Sequence, residues 1–433
     1  MYAMRKNVSI PKYGNEKKCP FCKNFTRSLD FGIWSGYIEK AEMKKMFQSA
    51  KKSEVMKVFP RSQYLKELIR LKDNGRVKIV TGLRRCGKSV LLFELFRDYL
   101  ISEGVLPEQI IGVALDDLSN AKYRNPMELD KFFREKITDN SKRYYLFIDE
   151  IQMVSEIRNP YVEDPEAKIG FVDVVLGLMK IRNADVYITG SNSKMLSSDI
   201  LTQFRDRGDE IRVFPLSYSE FYDAYEEDKR EAWQDYYTYG GMPVVLSFDT
   251  HEKKSKYLRD LLDRTYLKDV LERHKVLNNE EVLETLLDVI ASGVGSLTNP
   301  SKLSNTFKSE KGMTVSPDTI DKYLGYFMDA YLIQKAVRYD VKGRKYIKTP
   351  SKYYYSDPGL RNARLGFRQI EETHLMENVI YNDLIRRGFD ADVGMVETAT
   401  IEDGKKIRKQ LEVDFVVNRG NDRYYIQSAL TVA

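Results

Sequence analysis

The run Gly82-Leu83-Arg84-Arg85-Cys86-Gly87-Lys88-Ser89 constrains this chain more than any other stretch. It matches G-x-x-x-x-G-K-[ST] without deviation and lies between two differently patterned segments. Residues 77–81 form a short β-branched run that predicts a strand. Residues 89–100 carry apolar side chains at helical spacing. A strand that turns through glycines into a helix aims successive backbone N–H groups at one point, and the helix end adds about half a positive charge there. Such a turn suits phosphates. Gly82, Leu83, Arg84, Arg85, Cys86, Gly87, Lys88, Ser89 and Val90 are therefore the candidate nucleotide-binding residues. Lys88 would reach the β and γ phosphates of ATP, and Ser89 would place its hydroxyl on Mg²⁺. Arg84 and Arg85 either help hold phosphates or pair with acids such as Asp116 and Asp117. Cys86 reads as a small loop residue whose thiol bound ATP would shield from alkylation.

A second motif supports the first. Residues 144–148 are an apolar strand ending in Asp149-Glu150, 61 residues beyond Lys88. Asp149 suits the Mg²⁺ shell, and Glu150 can polarise a water for in-line attack on the γ-phosphate. Glycine-loop proteins without the second acid are often binders or switches, so the pair argues for hydrolysis. Thr189-Gly190-Ser191-Asn192 closes the next strand. Asn192, or else Ser191, would sense the γ-phosphate and orient the water; a plain turn with a helix cap is the alternative. Arg205 and Arg207 precede a fifth strand. Arg207, in preference to Arg205, is the candidate finger toward a neighbouring subunit's γ-phosphate. A surface ion pair with Asp206 or Asp209 is the other reading.

Strands expected at 77–81, 110–115, 144–148, 186–189 and 210–214 alternate with helices at 89–100, 126–137 and 171–181. That order predicts an α/β fold: a P-loop NTPase parallel sheet with helices on both faces, over residues 56–221. Residues 222–365 read as mostly helical. Ser316-Pro317-Asp318-Thr319 is a strong helix start, with a serine cap, proline at the first position and an acid in the first turn. A basic hairpin about Lys342-Gly343 follows, and helices before such a hairpin resemble a winged helix. A helix over 375–387 and strands at 412–417 and 424–427 open a last domain, residues 366–433. Residues 1–55 are basic and weakly patterned, and read as an extension outside the core fold.

Composition narrows the class further. Hydrophobic residues make up 42% of the 433, enough for a core. No apolar run approaches the ~18 residues of a membrane span, and the first residues lack a secretory apolar segment, so no membrane partner is expected. Three cysteines cannot build a disulfide framework, which fits a reducing cytoplasm. Cys19-Pro20-Phe21-Cys22 is half of a zinc knuckle, and its closure would need a second chain. A net charge of +6 permits DNA contact without demanding it.

The glycine loop, Asp149-Glu150-Ile151-Gln152, Thr189-Gly190-Ser191-Asn192 and the run from Phe214-Pro215-Leu216-Ser217 to Tyr218-Ser219-Glu220-Phe221 resemble the prokaryotic AAA+ ATPases that carry an uncharacterised C-terminal region. The resemblance runs from about Met56 to the C-terminus. It implies an ATPase sheet with an extra strand inserted between the two nucleotide motifs, a winged-helix middle and a restriction-endonuclease-like end. It also implies that residues 1–55 are an extension or upstream start and that Ala433 is an early stop. Endonuclease-like folds use an Asp and then Glu-x-Lys to bind metal and activate water. Here Asp414 is present, with Glu377 as a helix acid. Gln427 and Ala429 stand where the Glu and Lys belong, so a binding or dimerisation domain without nuclease activity is expected. The hairpin residues Arg338, Lys342, Arg344, Lys345 and Lys348 could track DNA phosphates; the preceding helix exposes Asp318 and Asp321, which suits DNA poorly. The expectation is a Mg²⁺-dependent ATPase that drives a conformational change, with a possible homo-oligomer as its assembly. A nucleotide-gated DNA- or protein-binding module with little turnover is the alternative.

Overall fold

The computed structural model describes residues 58–190, 204, 207–276, 279–343, 345–402 and 405–430. The expected extension of residues 1–55, with Cys19 and Cys22, lies outside them, as do Ser191, Asn192 and Arg205.

Two five-stranded sheets organise these residues. The first contains β1 (Val77–Gly82), β2 (Ile110–Ala114) and β3 (Tyr144–Asp149). A small antiparallel hairpin follows, β4 (Ile157–Arg158) with β5 (Lys168–Ile169). The chain then returns to the first sheet as β6 (Ala184–Thr189) and β7 (Gly208–Val213). The order is β2-β3-β6-β1-β7, and every pairing is parallel. β6 therefore separates β1 from β3, as the resemblance implied. β1, β3 and β6 are buried along their whole length, because helices cover both faces of the sheet. That coverage explains why these strands read as near-continuous apolar runs instead of alternating ones. Ile79, Leu146 and Ile148 pack on one face with Phe133 of helix Pro126–Lys136 and Leu178 of helix Phe171–Leu178. Val80, Phe147 and Tyr187 pack on the other with Phe96 and Leu68. A buried ion pair lies inside the sheet, Lys78 Nζ to Asp185 Oδ1 at 2.5 Å, with the Tyr187 hydroxyl also donating to Asp185.

The face that holds Phe96 and Leu68 continues into the helical region without a break. Leu258, Leu287, Leu324, Phe327 and Leu360 belong to the same apolar cluster. Helix Pro317–Asp329 starts where the sequence places it: the Ser316 hydroxyl accepts the Thr319 N–H at 3.1 Å. Its buried face is Ile320, Tyr323, Leu324 and Phe327. Arg212 of β7 ties the sheet to this region. Its guanidinium sits 4.6 Å from the Phe214 ring and 4.7 Å from the Tyr331 ring.

The second sheet contains β8 (Ile333–Asp340), β9 (Lys345–Tyr355), β10 (Asp390–Glu402), β11 (Lys405–Arg419) and β12 (Asp422–Ile426), in the order β12-β11-β10-β8-β9. The expected hairpin about Lys342-Gly343 is present as β8 and β9, and it is longer than the sequence pattern suggested. It does not stand free. β10, which the sequence reading did not foresee, runs parallel to β8 along its other edge. Asp, Ala and Gly in residues 390–394 are weak strand formers, which hid that strand. One expected DNA contact is corrected here. Arg338 is 8% exposed, and its side chain is turned onto Met395 of β10, because β10 covers the edge that a free hairpin would leave open. Helix Glu372–Arg386 packs Tyr381 and Leu384 on Val393 and Phe415 of this sheet. Residues Met56–Ala433 make one compact unit, and no helix among the described residues is long and apolar enough to cross a membrane.

Candidate nucleotide site

The loop from Gly82 to Ser89 leaves β1 at the carboxyl edge of the first sheet. Gly82 has φ +127°, and a Cβ there would stand 2.0 Å from the Val213 carbonyl oxygen. Only glycine lets β7 approach the loop this closely. Cys86 is fully buried beneath the loop, with Sγ 3.4 Å from the same carbonyl. Its thiol faces β7, so the protein itself shields it, where the sequence suggested that ATP would. Gly87, at φ +99°, is the left-handed cap of the helical run 88–102, and nothing lies within 4 Å of where its side chain would be. The run begins as Lys88–Val90, passes through a π-helical Leu91–Phe96 and ends as Arg97–Ser102.

Lys88 is 4% exposed, and its Nζ donates to the carbonyls of Gly82 at 3.1 Å and Leu83 at 2.9 Å. An ammonium has three protons, and a buried one held by two neutral carbonyls has no charge partner in those bonds. A phosphate would supply both the acceptor and the charge. Ser89 is exposed and Val90 half-buried at the mouth of the loop.

Asp149 ends β3 and is 6% exposed. Its Oδ1 accepts the Thr189 hydroxyl, and the Thr189 oxygen accepts the Glu150 N–H at 3.2 Å. One hydroxyl thus sets both acids. Glu150 adopts φ 52°, ψ 49°, a left-handed conformation that costs a residue with a Cβ about 1–2 kcal/mol. Strain of this kind is retained where the direction of a side chain matters. The Gln152 amide donates to Glu150 Oε2. Ser89 and Asp149 offer oxygen donors only. Among the described residues no cluster of three His, Cys, Asp or Glu could hold a metal alone. One carboxylate and one hydroxyl, completed by substrate phosphates, is a donor set that suits Mg²⁺.

Helices close the site from the side. Arg84 is exposed, and its Nη1 reaches Asp269 Oδ2 at 3.0 Å and Oδ1 at 3.2 Å. It pairs with neither Asp116 nor Asp117, since the helical region brings a nearer carboxylate to the loop. The Tyr266 hydroxyl donates to the Arg84 carbonyl at 2.7 Å. A small cleft beside Gly87 and Val90 is walled by Phe59, Pro243, Val244 and Ser247.

Residues 74–222 match a family described as an AAA domain, and residues 230–371 match a domain family of unknown function. An uncharacterized protein of Haemophilus influenzae is 33% identical over 377 residues, covering 86% of this chain and 87% of that protein. The chain belongs to the same family as that protein. The uncharacterized protein MJ1544 of Methanocaldococcus jannaschii is 29% identical over 359 residues, covering 79% of this chain and 72% of that one. Among solved structures, the Walker-type ATPase PABY2304 of Pyrococcus abyssi is similar at 15% identity, with 71% of this chain and 96% of that chain covered and a TM-score of 0.48.

Within this AAA domain the loop and the acid pair end parallel strands at one edge of the sheet, with only β6 between β1 and β3. Open α/β sheets bind ligands at that edge. Arg207 lies at the other edge. Its carbonyl accepts the Val77 N–H at 2.9 Å, and its side chain is exposed. Five residues of strand, roughly 17 Å at ~3.3 Å each, separate that level from Gly82. A finger role therefore requires a second copy of the chain. Sequence reasoning missed Thr189 and Gln152 as positioning groups although both stood inside quoted motifs. Nothing local marks Asp269 or Tyr266, which lie over 180 residues from Arg84.

Proposed function

We propose that this AAA-domain protein binds ATP with Mg²⁺, hydrolyses it and couples turnover to a rearrangement between the first sheet and the C-terminal half. The observation that carries this reading is the buried Lys88 ammonium, held among the described residues by two neutral carbonyls, on the same sheet edge as the Thr189-linked acids. Lys88 and the loop N–H groups take the phosphates. Ser89 and Asp149 hold the cation. Mg²⁺, when bound, neutralises charge on the β and γ phosphates. Glu150, steered by its strained backbone and by Gln152, accepts a proton from the attacking water. The cleft walled by Phe59, Val90, Pro243 and Val244 receives the base. Asn192 orients the water, and Arg207 acts on the triphosphate of a neighbouring copy in a homo-oligomer.

The helices 280–329 with the β8–β9 hairpin support a winged-helix reading, and Lys342 and Lys345 remain as surface charges for DNA. Helix Glu372–Arg386 followed by β10 to β12 supports an endonuclease-like fold without catalysis, and we place the protein in the cytoplasm. Retention of labelled ATP with Mg²⁺, followed by a steady-state ATPase assay at several protein concentrations, tests the core of the proposal. Lys88→Ala should lose binding. Glu150→Gln should bind and not turn over; equal turnover in wild type and Glu150→Gln refutes the assigned role. A specific rate that rises with concentration, and falls on Arg207→Ala, supports the arginine acting between copies.

A further inference from the structure

Arg84 is the third residue of the loop, yet its charge is directed away from the loop. Both Asp269 oxygens accept from one of its terminal nitrogens, at 3.0 and 3.2 Å. Asp269 belongs to Lys268–His274, the last part of a helical run over residues 251–274. Three residues earlier in that run, Tyr266 holds the Arg84 carbonyl at 2.7 Å. Burial pushes the Tyr266 hydroxyl well above the usual tyrosine range, so it remains a donor at any physiological pH. The run therefore grips the loop twice: once at the main chain, from a buried tyrosine, and once by a side-chain ion pair that is open to solvent. The Arg84 side chain is 45% exposed and that of Asp269 29%.

These two grips differ in how readily they release. The Tyr266 bond is neutral, and its donor is buried. The ion pair is solvated, and such pairs contribute about 1 kcal/mol or less. A polyphosphate arriving at the loop carries more negative charge than one carboxylate and can displace it. We propose that Asp269 is the resident counter-ion of Arg84, that nucleotide phosphates take its place, and that this exchange frees the end of the helical run from the loop. The proposal rests on the phosphate-binding reading given above and adds its regulation: phosphate binding and the grip on residues 268–274 exclude each other.

A double-mutant cycle on the full chain tests it, with ATP and Mg²⁺ affinity as the readout. Asp269→Asn should tighten binding about two- to fivefold, the equivalent of a surface pair. The gain should vanish in an Arg84→Gln background. Asp260→Asn, which removes a charge from the same run without touching the loop, serves as the control for net charge and should leave affinity unchanged. Amide exchange supplies a second readout. Residues 268–274 should exchange faster when wild type is saturated with nucleotide, and already fast without it in Asp269→Asn. Unchanged affinity in Asp269→Asn, a gain that persists in Arg84→Gln, or an equal gain in Asp260→Asn would overturn the exchange. Wild type that binds no ATP at all would instead remove the underlying reading of the site.

Discussion

The edge of the first sheet and the surroundings of Lys352 in the second treat a buried lysine in opposite ways. At the edge of the first sheet, the bonds of Lys88 among the described residues go to carbonyls, and Asp149 receives a neutral hydroxyl. Around Lys352 in the second sheet the charges consume one another. Lys352 Nζ lies 2.9 Å from Glu377 Oε1 and 2.6 Å from Glu412 Oε1, and the Tyr354 hydroxyl donates to Glu377 at 2.6 Å. Burial works against the Lys352 ammonium, but the two carboxylates outweigh it and hold its pKa above the ordinary lysine value. Asp414 accepts from the Gln427 amide and from the Ser428 N–H, both at 2.7 Å. The Lys88 ammonium is left in need of a charged ligand; the Lys352 ammonium is not. This contrast explains why similar counts of acids and lysines in two places point to chemistry in one and to architecture in the other.

The comparison breaks most sharply at Lys88. Lys88→Ala should remove ATP retention altogether in a filter assay, while the thermal unfolding of the free protein changes little. Next comes Glu150→Gln, with turnover expected to fall on the order of 10³-fold and ATP affinity kept. Retained turnover would return the first site to the class of binders. In the second sheet, Lys352→Met should cost about 3 kcal/mol of stability, because it leaves the buried Glu377 without its cationic partner. The urea midpoint measures this, and ATP retention should not change. A midpoint equal to wild type would mean that the lysine is not the partner that holds these acids.

An effect of comparable size, spread over pH, tests the junction between the helical region and the glycine turn at 240–241. Asp357 is 1% exposed and accepts the Gly241 N–H at 2.7 Å and the Leu360 N–H at 3.1 Å. Burial lifts its pKa from 3.8 to about 6, against the lowering effect of those N–H bonds. The native state therefore holds this proton through a pH range in which the unfolded chain has released it. Stability should fall as pH rises from about 4 to about 6, by up to about 3 kcal/mol from this residue, and remain at the lower value above. Asp357→Asn should flatten that fall when urea midpoints are followed across pH; parallel curves for the two proteins would refute the assignment.

The first sheet was legible in the sequence because both of its faces are covered. Strands such as 144–149 then carry unbroken apolar runs bounded by polar turns, and the helices between them start at clear caps such as Asn125-Pro126, whose side chain accepts the Met127 N–H at 2.9 Å. β10 was not legible. Residues 391–395 are all buried, but Asp392 and Gly394 interrupt the apolar Ala391, Val393 and Met395, a pattern too weak to separate from a loop. The hairpin β8–β9 was visible, but its second neighbour was not, so Arg338 read as a surface charge when it lies against Met395.

The candidate site divides along the same line. Gly82, Lys88, Ser89, Asp149 and Glu150 could be named from the sequence, because each acts within a few residues of a strand end whose local geometry its own neighbours dictate. The partners of these groups could not. Thr189 on Asp149, Asp269 on Arg84 and Val213 against Gly82 are set by strand order and by a helical run folded back over the loop. Local backbone preference writes a motif into consecutive residues. Which charge lies next to it is decided only when distant segments bury their apolar faces together, and no short stretch of sequence carries that information.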